Sequence, residues 1–145
     1  MNYKATLIPL LLTGSALAAT GSQTRPPLGH PILGKWTWTR SANNCTEVYE
    51  YLPNGEAPAV SGEERTDNTF TITPAPDPNG FYRMTIKTTK DYGGKDCGNS
   101  TADNTGEESV NYIFFKPDHS QYLACSEPNL DKCFGPLVRT KSEGR

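Results

Sequence analysis

The sequence predicts an all-β protein: an antiparallel, eight-stranded up-and-down barrel with two disulfides. Short runs rich in Thr, Tyr, Val, Ile and Phe recur at intervals of about ten residues, with turn residues between them. No window after the N-terminal leader shows a helical period. The four cysteines are an even number in a chain that we expect to be exported. A sequential order of strands closes best into a barrel, because closure removes the exposed sheet edges.

Residues 1–18 are interpreted as a secretory signal peptide. Lys4 precedes a short apolar run, and Ala16 and Ala18 supply the small residues of a cleavage site. The run is too short to span a bilayer, so we expect an exported protein, periplasmic or extracellular, with no membrane span. Residues 19–31 are polar and proline-rich, which predicts a flexible arm or a plug.

Residues 32–141 are assigned to a single barrel domain, and 142–145 to a tail. Alternation along the strands predicts which side chains point inward: Phe70 and Ile72 on one strand, and Met84 among those on the next. The weakest pattern lies around Gly62, which we interpret as a bulge or bend. The eight predicted strands are 35–40, 46–52, 59–66, 69–74, 81–89, 110–115, 121–125 and 133–139.

The cysteines predict two disulfides, although four cysteines allow three pairings. Cys125 and Cys133 flank a turn-like segment and could join neighbouring strands. That pairing leaves Cys45 with Cys97, which ties an early strand to the long polar loop 91–109. The alternative, a zinc site, needs closely spaced Cys or His pairs, and the sequence has none. No cofactor is expected.

Composition limits the classes of partner. The formal net charge is −2 and no run of basic residues occurs, so nucleic acid and anionic membranes are not expected partners. The length suits one domain with one core, and we expect a monomer. Acidic loop residues could bind calcium, but the regular ligand spacing of a calcium loop is missing, so no metal site is predicted.

Gly34 and Trp36 on the first strand and Arg139 at the end of the last strand, within an eight-strand meander, resemble the pattern of a lipocalin-type (calycin) barrel. The resemblance implies that the tryptophan closes the bottom of the barrel and that the arginine packs across it. A guanidinium can stack on an indole face and still donate hydrogen bonds to backbone carbonyls. Gly34, Trp36 and Arg139 are therefore expected to be structural.

Candidate ligand contacts are aromatic. Trp38 lies two residues after Trp36 and shares its face of the strand, so it either fills the core or lines a pocket. Tyr82 and Phe114 could complete the apolar wall of such a pocket. Arg83 could anchor a polar ligand group if it turned inward.

The orientation of the second strand has two possible solutions. Glu47, Tyr49 and Tyr51 share one face, and Val48 and Leu52 lie on the other. If the first face points inward, Glu47 is a buried acid among phenols and, with Tyr49, a candidate ligand contact. If it points outward, these residues form an ordinary solvated stripe. The two apolar residues favour the outward orientation.

Catalysis has little support in the sequence. His30 lies in the proline-rich segment and His119 in a predicted turn, and neither position suits a nucleophile–histidine arrangement inside a cleft. The protein is therefore expected not to be an enzyme, with no catalytic residues.

Two functions remain. The first is a non-enzymatic, lipocalin-like binding protein for a small apolar or aromatic molecule. The second is an inhibitor or immunity-type protein that binds a partner protein through its loops, with 91–108 as the contact surface. An eight-stranded barrel can be filled by side chains or can hold one small ligand, so an internal cavity separates the two hypotheses.

Overall fold

The computed structural model describes residues 25–141 and shows a closed antiparallel barrel of eight strands. The strands are β1 (Gly34–Thr39), β2 (Thr46–Tyr51), β3 (Ala59–Ser61), β4 (Glu64–Ile72), β5 (Phe81–Asp91), β6 (Glu108–Phe115), β7 (Gln121–Cys125) and β8 (Cys133–Arg139). Each strand pairs with its neighbours in chain order. Pairing of Trp36 with Arg139 and of Thr37 with Val138 joins β1 to β8 and closes the sheet. The predicted fold class is confirmed.

Helical structure within this part of the chain is limited to one 3₁₀ turn, Leu130–Lys132. Between residues 25 and 141 there is no helix long and apolar enough to cross a membrane. The predicted signal peptide, 1–18, and the predicted tail, 142–145, lie outside the described residues.

One predicted strand is wrong. Residues 59–66 form the hairpin of β3 and β4, because Gly62 adopts a φ of 58° and reverses the chain. The predicted strand 69–74 is the second half of β4, which therefore begins earlier than expected. A bulge between Asp67 and Asn68 shifts the register of β4 against β5 and bends the longer strand.

The packed core occupies one half of the barrel. Trp36 is fully buried and meets Tyr122 edge-on at 4.7 Å between ring centroids, and Tyr51 meets Phe70 in the same way at 5.0 Å. Such pairs add about 0.5–1.5 kcal/mol to the stabilisation from burial. The buried apolar cluster comprises Ile32, Trp36, Tyr51, Ala57, Phe70, Ile72, Met84, Ile113, Tyr122, Ala124 and Leu137.

Arg139 and Trp36 close this end of the barrel. The guanidinium carbon of Arg139 lies 4.2 Å from the centroid of the Trp36 ring. Its Nη1 donates a hydrogen bond to the carbonyl oxygen of Leu33 at 2.8 Å, and its Nη2 donates to that of Pro31. The indole nitrogen of Trp36 donates to the carbonyl of Ile32 at 2.7 Å. The indole and the guanidinium thus fix the chain segment that enters β1.

Gly34 leaves room for that guanidinium. Its φ is 120°, and a Cβ there would lie 3.1 Å from Nη1 of Arg139. The segment 19–31 was expected to be a flexible arm or a plug, and its described residues, 25–31, contact the barrel. Pro26 and His30 are buried. His30 Nδ1 accepts a hydrogen bond from the amide of Ile32, and Nε2 lies 3.2 Å from the carbonyl oxygen of Thr73.

Both disulfides lie at the opposite end, and both predicted pairings are confirmed. Cys125 and Cys133 are register partners on β7 and β8. Cys45 precedes β2 and binds Cys97 in the loop 92–107, so this bond holds a long polar segment against the strand ends. The amide of Cys97 also donates to Oγ of Ser61 at 3.0 Å.

Candidate ligand-binding cavity

A cavity of about 220 Å³ lies inside the barrel, between the packed core and the disulfide end. Its lining residues fall into two sets by chemistry: a mainly apolar and aromatic set, here called the inner wall, and a set that carries most of the polar groups, here called the outer wall. The inner wall comprises Tyr51, Ala57, Met84, Ile86, Tyr122, Ala124 and Leu137. The outer wall includes Tyr49, Ser61, Glu64, Thr66, Ser109, Asn111 and Phe134.

The face of β2 that bears Glu47, Tyr49 and Tyr51 points inward, which corrects the favoured interpretation. Glu47 is 8% exposed and Tyr51 is 2% exposed. Register explains the orientation: Tyr49 pairs with the fully buried Trp36, and paired residues point to the same side of a sheet. Val48 lies on the outer surface, where it lines a shallow groove with Lys35 and Glu50.

Glu47 is held by two neutral donors. The hydroxyl of Tyr49 donates to Oε2 at 2.6 Å, and that of Ser61 donates to Oε1 at 3.1 Å. Burial, followed by the charge of Glu47, raises the pKa of Tyr49 well above its usual value. Tyr49 therefore remains a neutral donor, and the carboxylate lies directly behind two groups of the cavity wall.

The inner wall carries a pair of phenols. The hydroxyl oxygens of Tyr51 and Tyr122 lie 3.3 Å apart. Burial raises the pKa of Tyr51 to about 12 and that of Tyr122 well above 10. When one hydroxyl donates to the other, the accepting hydroxyl keeps its own hydrogen, so the pair can donate to a polar group of a ligand.

Glu64 supplies an acidic group at the outer wall. Asn104 donates from Nδ2 to Oε1 of Glu64 at 3.3 Å. Burial raises the pKa of Glu64, and the charges of Asp91 and Asp96 raise it further. The pKa of Asp91 is lowered, because its carboxylate accepts hydrogen bonds from the amides of Asn104 and Gly93. The surroundings thus shift the pKa values of these two neighbouring carboxyl groups in opposite directions.

Trp38 faces the interior but does not line the cavity. Its ring packs on that of Phe134 at 4.8 Å between centroids, and the Arg40 guanidinium lies 5.8 Å from its centroid. Phe134 does line the cavity. Trp38 therefore forms a second layer behind the wall, close enough to report a change there.

Tyr82 and Phe114, the other expected wall residues, lie elsewhere. Tyr82 packs against His30 at 4.9 Å and Phe115 at 5.6 Å, at the end that Trp36 closes. Phe114 is on the outer surface, where it stacks on Phe81 at 5.1 Å. Its neighbour Ile113 is fully buried, and adjacent residues of a strand face opposite sides. The candidate anchor Arg83 is also exposed.

Sequence reasoning missed the polar wall. Ser109 and Asn111 occupy the same face of β6 as Ile113, and Thr66 and Asn68 the same face of β4 as Phe70. Extending the alternation from the apolar residues toward the disulfide end could have found them. Polar side chains usually face solvent, so their presence on these strands does not by itself indicate an inward face.

No group of three or more potential metal ligands lies together in residues 25–141. Comparisons with protein-family models, with curated proteins and with solved structures gave no match for this chain.

Proposed function

We propose that the protein is an exported, lipocalin-like binding protein that holds a small aromatic molecule inside its barrel. The observation that carries this proposal is the internal cavity, which combines aromatic walls with a few polar groups. At about 220 Å³ it is smaller than sites for drug-sized ligands, whose volumes begin at about 300 Å³. The ligand that fits is a single ring with a short substituent.

Two further features support the proposal. The disulfides suit an oxidising compartment outside the cytoplasm. The contacts among Gly34, Trp36 and Arg139 close one end of the barrel, as a lipocalin-like protein requires. One end closed and one end lined with polar groups make a pocket rather than a channel.

Asn111→Phe should abolish binding, because the new ring fills the cavity from the polar half of β6. Val110→Phe is the matched control, since Val110 is the adjacent residue on the other face of the strand. Isothermal titration with 2-phenylethanol and related single-ring compounds measures the effect. Binding that is equal in both variants would place the site elsewhere.

Tryptophan fluorescence provides a second measurement. A ligand against Phe134 should change the emission of Trp38, whose ring packs on that of Phe134. Trp38→Phe should remove most of the change, and Trp36→Phe should retain it, because Trp36 lies in the closed end. If no compound alters the emission or gives heat on titration, the binding proposal fails.

The second candidate function is interaction with a protein through the loop 92–107. The specific observation in its favour is that this acidic loop is fixed without forming a strand. The Cys45–Cys97 bond holds it, and Asp96 Oδ1 accepts from the amides of Gly98 and Ser100. Native mass spectrometry of protein from its own host separates the candidates, since it detects either a bound small molecule or a protein partner.

A further inference from the structure

The only formal charge on the cavity wall is negative. Among the residues that line it, Glu64 is the only charged one, and none is Lys, Arg or His. Neutral amide and hydroxyl groups make up the rest of the polar wall. An anion placed here would meet a negative charge and no cation, which costs free energy in an enclosed site.

A second carboxylate lies just behind the wall. Glu47 is 8% exposed and is held only by the hydroxyls of Tyr49 and Ser61, which both line the cavity. Among residues 25–141, the ion pairs within 4.0 Å join Lys35 to Glu50 and Lys116 to Asp118. Neither Glu47 nor Glu64 is thus within 4.0 Å of a Lys, Arg or His nitrogen among the described residues.

Three basic side chains in this part of the barrel lie over aromatic rings that do not line the cavity. Arg65 and Lys90 lie over the Tyr92 ring, at 5.4 and 4.5 Å from its centroid. Arg40 lies over Trp38. None of these three basic side chains lines the cavity.

Four aromatic residues of the lining add a second feature that suits a cation. Tyr49, Tyr51, Tyr122 and Phe134 surround the space with aromatic surface. Aromatic faces attract cations, and the attraction grows when water is excluded. A protonated amine would therefore find carboxylate and aromatic partners in one enclosure, and an aromatic ring would find apolar ones.

We propose that the cavity selects small aromatic amines, with the protonated amino group donating to the Glu64 carboxylate and the ring against the tyrosines, and that it rejects aromatic carboxylates of the same size. This inference rests on the proposed function and adds the charge of the ligand to it.

The test compares three probes of similar size: 2-phenylethylamine, 2-phenylethanol and phenylacetate, titrated at pH 7 by calorimetry. We expect the amine to bind more tightly than the alcohol. Its affinity should exceed that of phenylacetate by about tenfold or more, and a tenfold ratio corresponds to about 1.4 kcal/mol. Glu64→Gln should lower the affinity for the amine by about tenfold and leave that for the alcohol unchanged. Thermal unfolding verifies that the variant is folded.

Glu63→Gln is the matched control. It removes the same charge from the adjacent position, which is exposed in the β3–β4 turn and does not line the cavity. Equal loss in both variants would mean that overall charge, not Glu64, sets the preference, and would overturn the assignment. Phenylacetate binding as tightly as the amine would overturn the selectivity while the binding function stands. Failure of all three probes to bind would contradict both proposals.

Discussion

At the scale of single residues, the contact between Trp36 and Arg139 links three parts of the chain. One guanidinium stacks on the indole and donates to two carbonyls of the segment before β1. A lysine could supply the charge but not the planar group with several donors. Glycine suits the neighbouring position 34 because its φ is 120° and a Cβ there would crowd the same guanidinium.

We predict that Arg139→Ala lowers the free energy of unfolding by about 2–4 kcal/mol, because the stacking and the hydrogen bonds are lost together. Denaturant unfolding measures the change. Arg83→Ala is the control, since the Arg83 side chain is exposed and its guanidinium donates only to Thr85, and it should change stability by less than about 0.5 kcal/mol. A double-mutant cycle with Trp36→Phe should show coupling of about 1 kcal/mol. Additive effects would contradict the described closure.

At the scale of elements, the β3–β4 hairpin and the loop 92–107 support each other. The amide of Glu63 donates to the carbonyl of Lys95 at 2.9 Å, and Ser61 accepts from the amide of Cys97. Because Glu64 begins β4 directly after this contact, the loop positions the acidic group of the cavity. The loop has no apolar pattern, so its conformation comes from hydrogen bonds and one disulfide.

Two consecutive glycines test that contact. Gly93 and Gly94 both have positive φ, but a Cβ on Gly93 meets nothing within 4 Å, and one on Gly94 would lie 2.6 Å from the carbonyl oxygen of Glu63. Gly94→Ala should therefore destabilise the protein by about 1–3 kcal/mol more than Gly93→Ala. Both variants carry the backbone strain, so the difference reports only the packing. Equal midpoints in urea would show that the loop does not lie on the hairpin.

At the scale of the whole molecule, the barrel is closed by packing at one end and tied by disulfides at the other, with the cavity between. Three tyrosines span this interior: Tyr49, Tyr51 and Tyr122. Their hydroxyls are the polar groups of the largest aromatic side chains in the wall. They can remain buried only while they are protonated, so the pH dependence of stability reports on the interior as a unit.

We predict that stability falls as the pH rises above 10. Burial raises the pKa of Tyr51 to about 12 and holds those of Tyr49 and Tyr122 well above 10, whereas the unfolded chain releases these protons near its ordinary pKa of about 10. Between the pKa of the unfolded chain and that of the folded protein, the folded state binds more protons than the unfolded state. Each such tyrosine therefore lowers the free energy of unfolding by up to about 1.4 kcal/mol per pH unit as the pH rises. Denaturant unfolding from pH 8 to 12 checks the slope. Tyr51→Phe should make it shallower; an unchanged slope would contradict the burial of this phenol.

The sequence by itself determined the strand content, the order of the strands and the cysteine pairing. Alternation along a strand and turn residues between strands are local properties, so Phe70, Ile72 and Met84 could be assigned to the interior from the sequence. The pairing of Cys125 with Cys133 followed from the turn between them. The hairpin at Gly62 was missed, because one glycine predicts a bulge as well as it predicts a reversal.

Tertiary structure decided the rest. Both faces of β2 mix apolar and charged residues, and only pairing with Trp36 turned Tyr49 inward. Phe114 and Ile113 are equally apolar neighbours, and the register of β6 in the closed sheet left the phenylalanine outside. The cavity exists because the inward side chains near the disulfide end, such as Ser61 and Asn111, are too small to fill the barrel. Which side chains face each other across a barrel depends on its closure, and closure is a property of all eight strands together.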